Sequence, residues 1–147
     1  MIVAPLLPIG YNTIRFFTRE WGDEMLQVFI SYKHHEVDGT IAQKLYDLLR
    51  GWGFGVWMDK HNIPAGIEAG TNGWISAIHQ GIKKSQVVIG LISPESLKSV
   101  EVQNEWNWAY INKKTKRIFL IRLRDFDTED IAPQFVQAIY HNIDEID

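Results

Sequence analysis

From Gln27 onward, short and continuously apolar runs alternate with longer stretches whose apolar residues recur every three or four positions. Gln27–Tyr32 (QVFISY) is short and rich in β-formers, which reads as a buried strand. In Asp38–Trp52, residues Ile41, Leu45, Leu48, Leu49 and Trp52 follow at spacings of four, three, one and three, which predicts an amphipathic helix. Gly51 and Gly53 close it, and Phe54–Met58 (FGVWM) reads as the second strand. A polar loop bearing Gly and Pro runs from Asp59 to Asn72, after which Trp74, Ile75, Ile78 and Ile82 trace one face of a second helix. Val87–Ile92 (VVIGLI) is apolar throughout, the signature of a strand covered on both faces. Pro94 and Ser99 bracket the start of the next helix, with Val102, Trp106 and Ala109 facing inward. Ile118–Leu123 is a fourth strand after the basic turn Lys113–Arg117; Ile131–Gln137 reads as a short helix and Ala138–Asn142 as a fifth strand. Residues 1–26 are expected to form an extension, with a short helix at Tyr11–Trp21, leaving 27–147 as one domain.

Strands alternating with helices through short loops imply an α/β domain with parallel strands and right-handed crossovers. Ligands in such sheets bind beyond the carboxyl ends of the strands. That directs attention to the loops Tyr32–Asp38, Asp59–Asn72 and Ser93–Ser99. Composition narrows the chemistry. With 46% hydrophobic and 22% charged residues the chain can bury a core, and 147 residues suit a single domain. Eighteen acidic against fifteen basic residues, a net charge of -3, provide no basic field for nucleic acid. The absence of cysteine excludes disulfides, Cys-based zinc sites and a thiol nucleophile. Met1–Gly10 carries Pro5 and Pro8 and lacks a charged n-region, so it is not read as a signal peptide. No apolar run reaches the ~20 residues needed to span a bilayer. The expectation is a soluble, cytoplasmic protein with neither nucleic acid nor membrane as partner.

The three loops also carry a family resemblance. FISY at Phe29–Tyr32 resembles the first box of Toll/interleukin-1 receptor/resistance protein (TIR) domains, and VWMDKHNIPAG at Val56–Gly66 resembles the second. ISPESLKSVEVQNEW at Ile92–Trp106 is similar to the third-strand stretch, where SP precedes a Ser-x-x-Cys-x-x-Glu helix; here that motif reads Ser99, Val102, Glu105. Order and spacing agree over residues 27–142. The resemblance implies a flavodoxin-like three-layer domain with a five-stranded parallel sheet, order 2-1-3-4-5. It also implies self-association through the Asp59–Asn72 loop, as a homo-oligomer or filament with other TIR domains, in immune or antiphage defence signalling. Many bacterial and plant members are NAD⁺ glycohydrolases or cyclases that require the third-box glutamate. Carried over, Glu105 is the catalytic residue. Tyr32 and Lys33 face the nucleotide, and Asp59, Ile63 and Gly66 belong to the loop over the nicotinamide end. NAD⁺ is then substrate, with no cofactor and no metal. Two positions depart from the pattern: Val102 replaces the motif cysteine, and Glu101 stands where many bacterial members have tryptophan. Trp74, Trp57 or Trp106 could take over that stacking role.

A glutamate suits this chemistry. Helical side chains lean toward the N-terminus, here the ligand edge, and Glu105 lies about 60° from the Val102 direction, a half-buried border position. Breaking the nicotinamide–ribose bond passes through an oxocarbenium-like state that a carboxylate stabilises, and nicotinamide departs neutral without a general acid. Plainer readings stand beside this one. Glutamates on helices are usually solvated. Ser99 reads as an N-cap with Glu101 supporting the helix dipole. His34 and His35 could touch phosphates or be ordinary loop residues. Asp125, Asp127, Glu129 and Asp130 read as a solvated loop leading into a helix start. Gly51, Gly53 and Gly55 precede a strand, so they fail as a dinucleotide fingerprint. Two other functions remain open: a non-catalytic TIR–TIR scaffold, and a nucleotide N-glycosidase or deoxyribosyltransferase.

Overall fold

The computed structural model of the chain describes residues 26–112, 117–135 and 139–142. The expected helix at Tyr11–Trp21 lies outside them. Five strands, β1 (Gln27–Ser31), β2 (Gly55–Trp57), β3 (Val87–Ile92), β4 (Arg117–Arg122) and β5 (Ile139–Asn142), form one sheet in the order β2-β1-β3-β4-β5. Every neighbouring pair is parallel, with Phe29 opposite Trp57 and Ile89 opposite both Ile30 and Phe119. Parallel neighbours cannot be joined by a tight turn, so the connections cross the sheet faces. Helix α1 (Glu36–Gly51) links β1 to β2. The single turn α2 (Asp59–Asn62) and helix α3 (Asn72–Lys84) link β2 to β3, and the single turn α4 (Pro94–Leu97) and helix α5 (Val100–Ile111) link β3 to β4.

The two-residue period of the strands divides the core. Val28, Ile30, Val87, Ile89, Leu91, Phe119 and Ile121 pack against Ala42, Leu45 and Leu49 of α1 on one face. On the other, Phe29 and Val88 meet Ile78 and Ile82 of α3 and Ala109 of α5, while Ile92 and Leu120 join Val102, Trp106 and Phe135. All six residues of β3 are buried, as expected of a strand covered on both sides. The result is three layers.

Differences from the sequence reading are local. Ile75, expected on the inward face of α3, is 40% exposed. The helix packs instead through Ile78, Gly81 and Ile82, because the Trp57 indole lies 2.5 Å from where a Gly81 Cβ would be. The helix bracketed by Pro94 and Ser99 is two elements. Ser93 and Ser96 cap each other at α4, and Ser99 restarts the chain as the N-cap of α5. In place of a helix at Ile131–Gln137, the described residues hold one 3-10 turn, Pro133–Phe135, anchored by buried Phe135. So short a stretch cannot offset the cost of helix nucleation.

Gly90 of β3 has a packing role. A Cβ there would lie 2.6 Å from the Trp106 indole, so only glycine lets this wholly buried ring seat against the sheet. Gly90→Ala is expected to overpack this contact and lower unfolding free energy by about 1–3 kcal/mol in urea titrations. Unchanged stability would show that α5 packs elsewhere.

Candidate active site

The strand order reverses between β1 and β3, so the crossovers leaving them diverge and open a crevice at their carboxyl ends. Two adjoining clefts lie there. A polar one of about 170 Å³ is lined by Tyr32, Lys33 and His34 after β1, by Asp59, Ala69 and Gly70 of the second loop, by Trp74 of α3, and by Ser99, Glu101, Val102 and Glu105 at the start of α5. An apolar one of about 240 Å³ lies between α3 and α5 and shares Gly70, Trp74, Glu101 and Glu105 with the first.

Glu105 is 8% exposed, deeper than the half-buried border position that helix geometry alone suggests. Its neighbour Trp106 draws this part of α5 onto the sheet by donating its Nε1–H to Ser31 Oγ at 3.0 Å, and the Ser31 hydroxyl in turn bonds Glu105. Burial pushes the Glu105 carboxyl up to about 8; the Ser31 bond opposes this, and the negative charges of Asp59 and Glu101 add to it. Glu101 is in the opposite state. Its own backbone N–H and the Ser99 hydroxyl, 3.1 Å from Oε2, hold it below its usual range. Two carboxyls on successive turns of one helix therefore differ at neutral pH, Glu101 ionised and Glu105 protonated. Ser99 accepts the Val102 N–H at 3.4 Å, which makes it the N-cap of α5.

Asp59 ties the second loop to the first. The Tyr32 hydroxyl donates to its Oδ1 at 2.8 Å, His34 Nε2 meets its Oδ2, and the Lys60 N–H donates to Oδ1 at 2.7 Å. The bond to Asp59 raises the His34 pKa against opposition from burial and Lys33. Burial, then Asp59, raises that of Tyr32. The His34 ring lies 5.2 Å from Tyr32 and edge-on to Trp74 at 5.7 Å, forming an aromatic rim.

Of the residues singled out in the sequence, Glu105, Tyr32, Lys33, Asp59 and Trp74 converge on the clefts. Ile63 and Gly66 do not. Ile63 is buried under the loop with Phe29, Trp57 and Ile78, where an apolar side chain gains most, and Gly66 supplies an exposed turn at φ 96. Trp57 stacks on Phe29 with ring centroids 4.7 Å apart, and Trp106 is wholly buried. Among the three stacking candidates, Trp74 alone lines a cleft.

Trp108 was missed. It lies three residues beyond Glu105, a spacing that shares a helix face and could have signalled it. Also missed was a charge network at the same sheet edge. Arg124 pairs with wholly buried Asp38 at 2.7 Å and with Glu95 at 2.6 Å, while Ser93 Oγ donates to Asp38 at 2.5 Å. Asp125, Asp127, Glu129 and Asp130 are exposed, with Asp127 capping a 3-10 turn. Among the described residues no cluster of three or more His, Cys, Asp or Glu could hold a metal ion, and no helix is long and apolar enough to cross a membrane.

A family model described as TIR domain matches residues 28–146. Among solved structures, the chain is similar to the TIR domain of the Toll-related receptor TRR-2 of Hydra magnipapillata, with a TM-score of 0.63 and 17% identity over 80% of this chain and 84% of that one. It is similar to a 2-deoxyribosyltransferase of Bacillus psychrosaccharolyticus at the same TM-score of 0.63, with 17% identity over 78% of this chain and 85% of that one. The TIR domains of the activated Roq1 resistosome align with a TM-score of 0.50 and 18% identity, over 76% of this chain and 61% of that one. At these identities the likeness establishes the fold. No curated protein matches the chain in sequence.

The state of Glu105 has a consequence for stability. Its folded pKa lies above the ordinary 4.5, so between about 4.5 and about 8 the folded chain holds a proton that the unfolded chain has lost. Stability is then highest at the acid end of that window, falls as pH rises through it, and levels off above it. Urea unfolding across the window is expected to show this decline, with a shallower slope in Glu105→Gln. Equal slopes in both proteins would mean that Glu105 titrates normally.

Proposed function

The chain belongs to the TIR-domain family, and from that premise we propose that it cleaves the nicotinamide–ribose bond of NAD⁺ with Glu105 as the catalytic carboxylate. One observation carries this reading: a buried carboxyl at the ligand edge, in the wall common to a polar and an apolar cleft. The polar cleft, with Lys33 and a His34 biased toward its protonated form, suits a pyrophosphate. The apolar cleft suits a flat base.

NAD⁺ arrives with a positive charge on its pyridinium ring. As the bond to ribose breaks, the electron pair leaves with nicotinamide, which departs neutral, and the positive charge passes to the ribose. A nearby cation favours ionised Glu105, so the substrate itself promotes loss of that proton. The carboxylate then stabilises the oxocarbenium-like ribose. Addition of water at the ribose carbon gives ADP-ribose and a proton; attack by a nitrogen of the adenine gives a cyclic isomer. We assign no cofactor or metal to the reaction. Residues Lys60, Pro64, Gly66 and Glu68 of the Asp59–Asn72 loop are exposed, and we propose that this loop joins neighbouring copies into an active homo-oligomer in cytoplasmic defence signalling.

The protonation of Glu105 favours a second reading. A neutral nucleobase needs a proton to depart, and a carboxyl with a pKa of about 8 can supply it. That chemistry belongs to a nucleotide N-glycosidase or deoxyribosyltransferase.

Incubation with NAD⁺ at increasing protein concentration decides between them. Nicotinamide release is expected, rising per protomer with concentration, and Glu105→Ala is expected to lower it by about 10²–10³-fold. Turnover per protomer that is indifferent to dilution would remove the assembly requirement. Cleavage of deoxynucleosides but not NAD⁺ would establish the second reading.

A further inference from the structure

The two-residue period of β1 turns Ser31 to the same side of the sheet as Phe29, toward α3 and α5. In the sheet register Ser31 lies beside Gly90 of β3. A Cβ at Gly90 would lie 2.6 Å from the Trp106 indole, so that ring rests over the Ser31–Gly90 pair and brings its N–H within 3.0 Å of Ser31 Oγ. Ser31 is wholly buried, and its hydroxyl must find its partners inside the protein.

The direction of these bonds follows from the groups themselves. An indole nitrogen donates and never accepts. Ser31 Oγ is therefore the acceptor toward Trp106, and its single proton is left for its other partner, Glu105. Donation runs one way, from indole to hydroxyl to carboxyl. A hydroxyl that donates to a carboxyl favours the ionised form, and one that already accepts a bond is the stronger donor. One proton reaches one oxygen, which leaves the second carboxyl oxygen to the clefts that Glu105 lines. The charges around Glu105 act the other way. Asp59 of α2 and Glu101, one turn earlier on α5, both oppose its ionisation. Tyr32 gives its own proton to Asp59, and His34 is paired with the same carboxylate. Lys33 lines the polar cleft, and α3 contributes the uncharged Trp74, Ile75 and Ile78 to the walls. The Ser31 bond thus works against burial and against two neighbouring acids.

We propose that Ser31 is a positioning residue for the reaction: aligned by the Trp106 N–H, it donates its proton to one oxygen of Glu105 and turns the other toward the substrate. Ser31 lines neither cleft and acts through Glu105. The bond strengthens as the carboxyl loses its proton, the stage at which the ribose becomes cationic, so it supports the reacting state more than the resting one. This role rests on the NAD⁺-cleaving reading for the identity of the substrate, whereas the hold of Ser31 on Glu105 can be measured with no substrate present.

The test is the titration of Glu105, followed by carbon NMR of its side-chain carboxyl in the whole chain and assigned with Glu105→Gln. In Ser31→Ala the midpoint is expected to rise by about one pH unit, and in Ser31→Thr, which keeps a hydroxyl, to return. At neutral pH the alanine variant is expected to lose about tenfold in kcat for nicotinamide release, the loss of ionised carboxylate that one pH unit implies, with KM within about twofold. Alanine also leaves the Trp106 N–H without its acceptor, so circular dichroism checks the fold. Ser31→Cys, similar in size and a weaker donor, is expected to shift the midpoint the same way by less, and it decides the matter if the alanine variant does not fold. A serine that only seats Trp106 would leave the midpoint in place while stability falls. That result, a midpoint that moves down, or a shift that threonine reproduces would each overturn the proposal. A midpoint that rises in a chain releasing no nicotinamide keeps the hold of Ser31 on Glu105 and loses the NAD⁺-cleaving reading. Nicotinamide release with an unmoved midpoint keeps that reading and loses the role of Ser31.

Discussion

The seating of Trp106 against Gly90, with its indole N–H given to Ser31, is the contact on which the rest of the site depends. A buried indole N–H must find an acceptor, and Ser31, wholly buried at the end of β1, provides it. This fixes the height and rotation of α5 over the junction of β1 and β3. Val102 and Ala109 follow into the core from the same face of the helix. The adjacent Glu105 is carried under the surface, where it shares the same serine. Helix packing and acid chemistry thus meet in one hydroxyl group.

Two buried carboxylates at this sheet edge illustrate different solutions to one electrostatic problem. Asp38 is fully removed from solvent but has Arg124 and the Ser93 hydroxyl as partners, and this network joins α1, α4 and the segment after β4. Removing a charge from water is tolerable when a cation and hydrogen bonds replace the lost hydration. Glu105, by contrast, has the Ser31 hydroxyl and unfavourable charges from Asp59 and Glu101. Its burial is compensated by protonation. A carboxyl held in that condition beside a cleft responds strongly to the charge of whatever enters, which is the behaviour expected of a functional group and not of a structural ion pair.

The elements were largely legible because each has a period of its own. VVIGLI could only be a strand buried on both faces, and Val102, Trp106 and Ala109 point inward as their spacing requires. Glu105, Tyr32, Lys33, Asp59 and Trp74 could be placed beside the clefts from the sequence because they follow the carboxyl ends of strands, Tyr32 and Lys33 directly after β1, Asp59 soon after β2, and Trp74 and Glu105 in the first two turns of α3 and α5. Ile63 and Gly66 share that loop with Asp59 but not its destination. Position in a loop does not say which side chain turns into the core, and the space beneath Ile63 is made by Phe29 and Ile78 from other elements. Arg124 and Asp38 escaped notice for the same reason, since their pairing joins residues distant in the chain.

The amino-acid sequence by itself determined the alternation of strands and helices, the covered central strand, and the presence of a glutamate in the second turn of the helix that starts at Ser99. Those features follow from local periodicity and spacing. The tertiary structure alone decided that Gly81 and Gly90 each make room for a tryptophan, that Trp74 and Trp108 face the clefts while Trp57 and Trp106 do not, and that Glu105 is protonated where Glu101 is ionised. Each of these depends on which distant surface a side chain meets. Burial and charge environment belong to the assembled layers, and no window of sequence contains them.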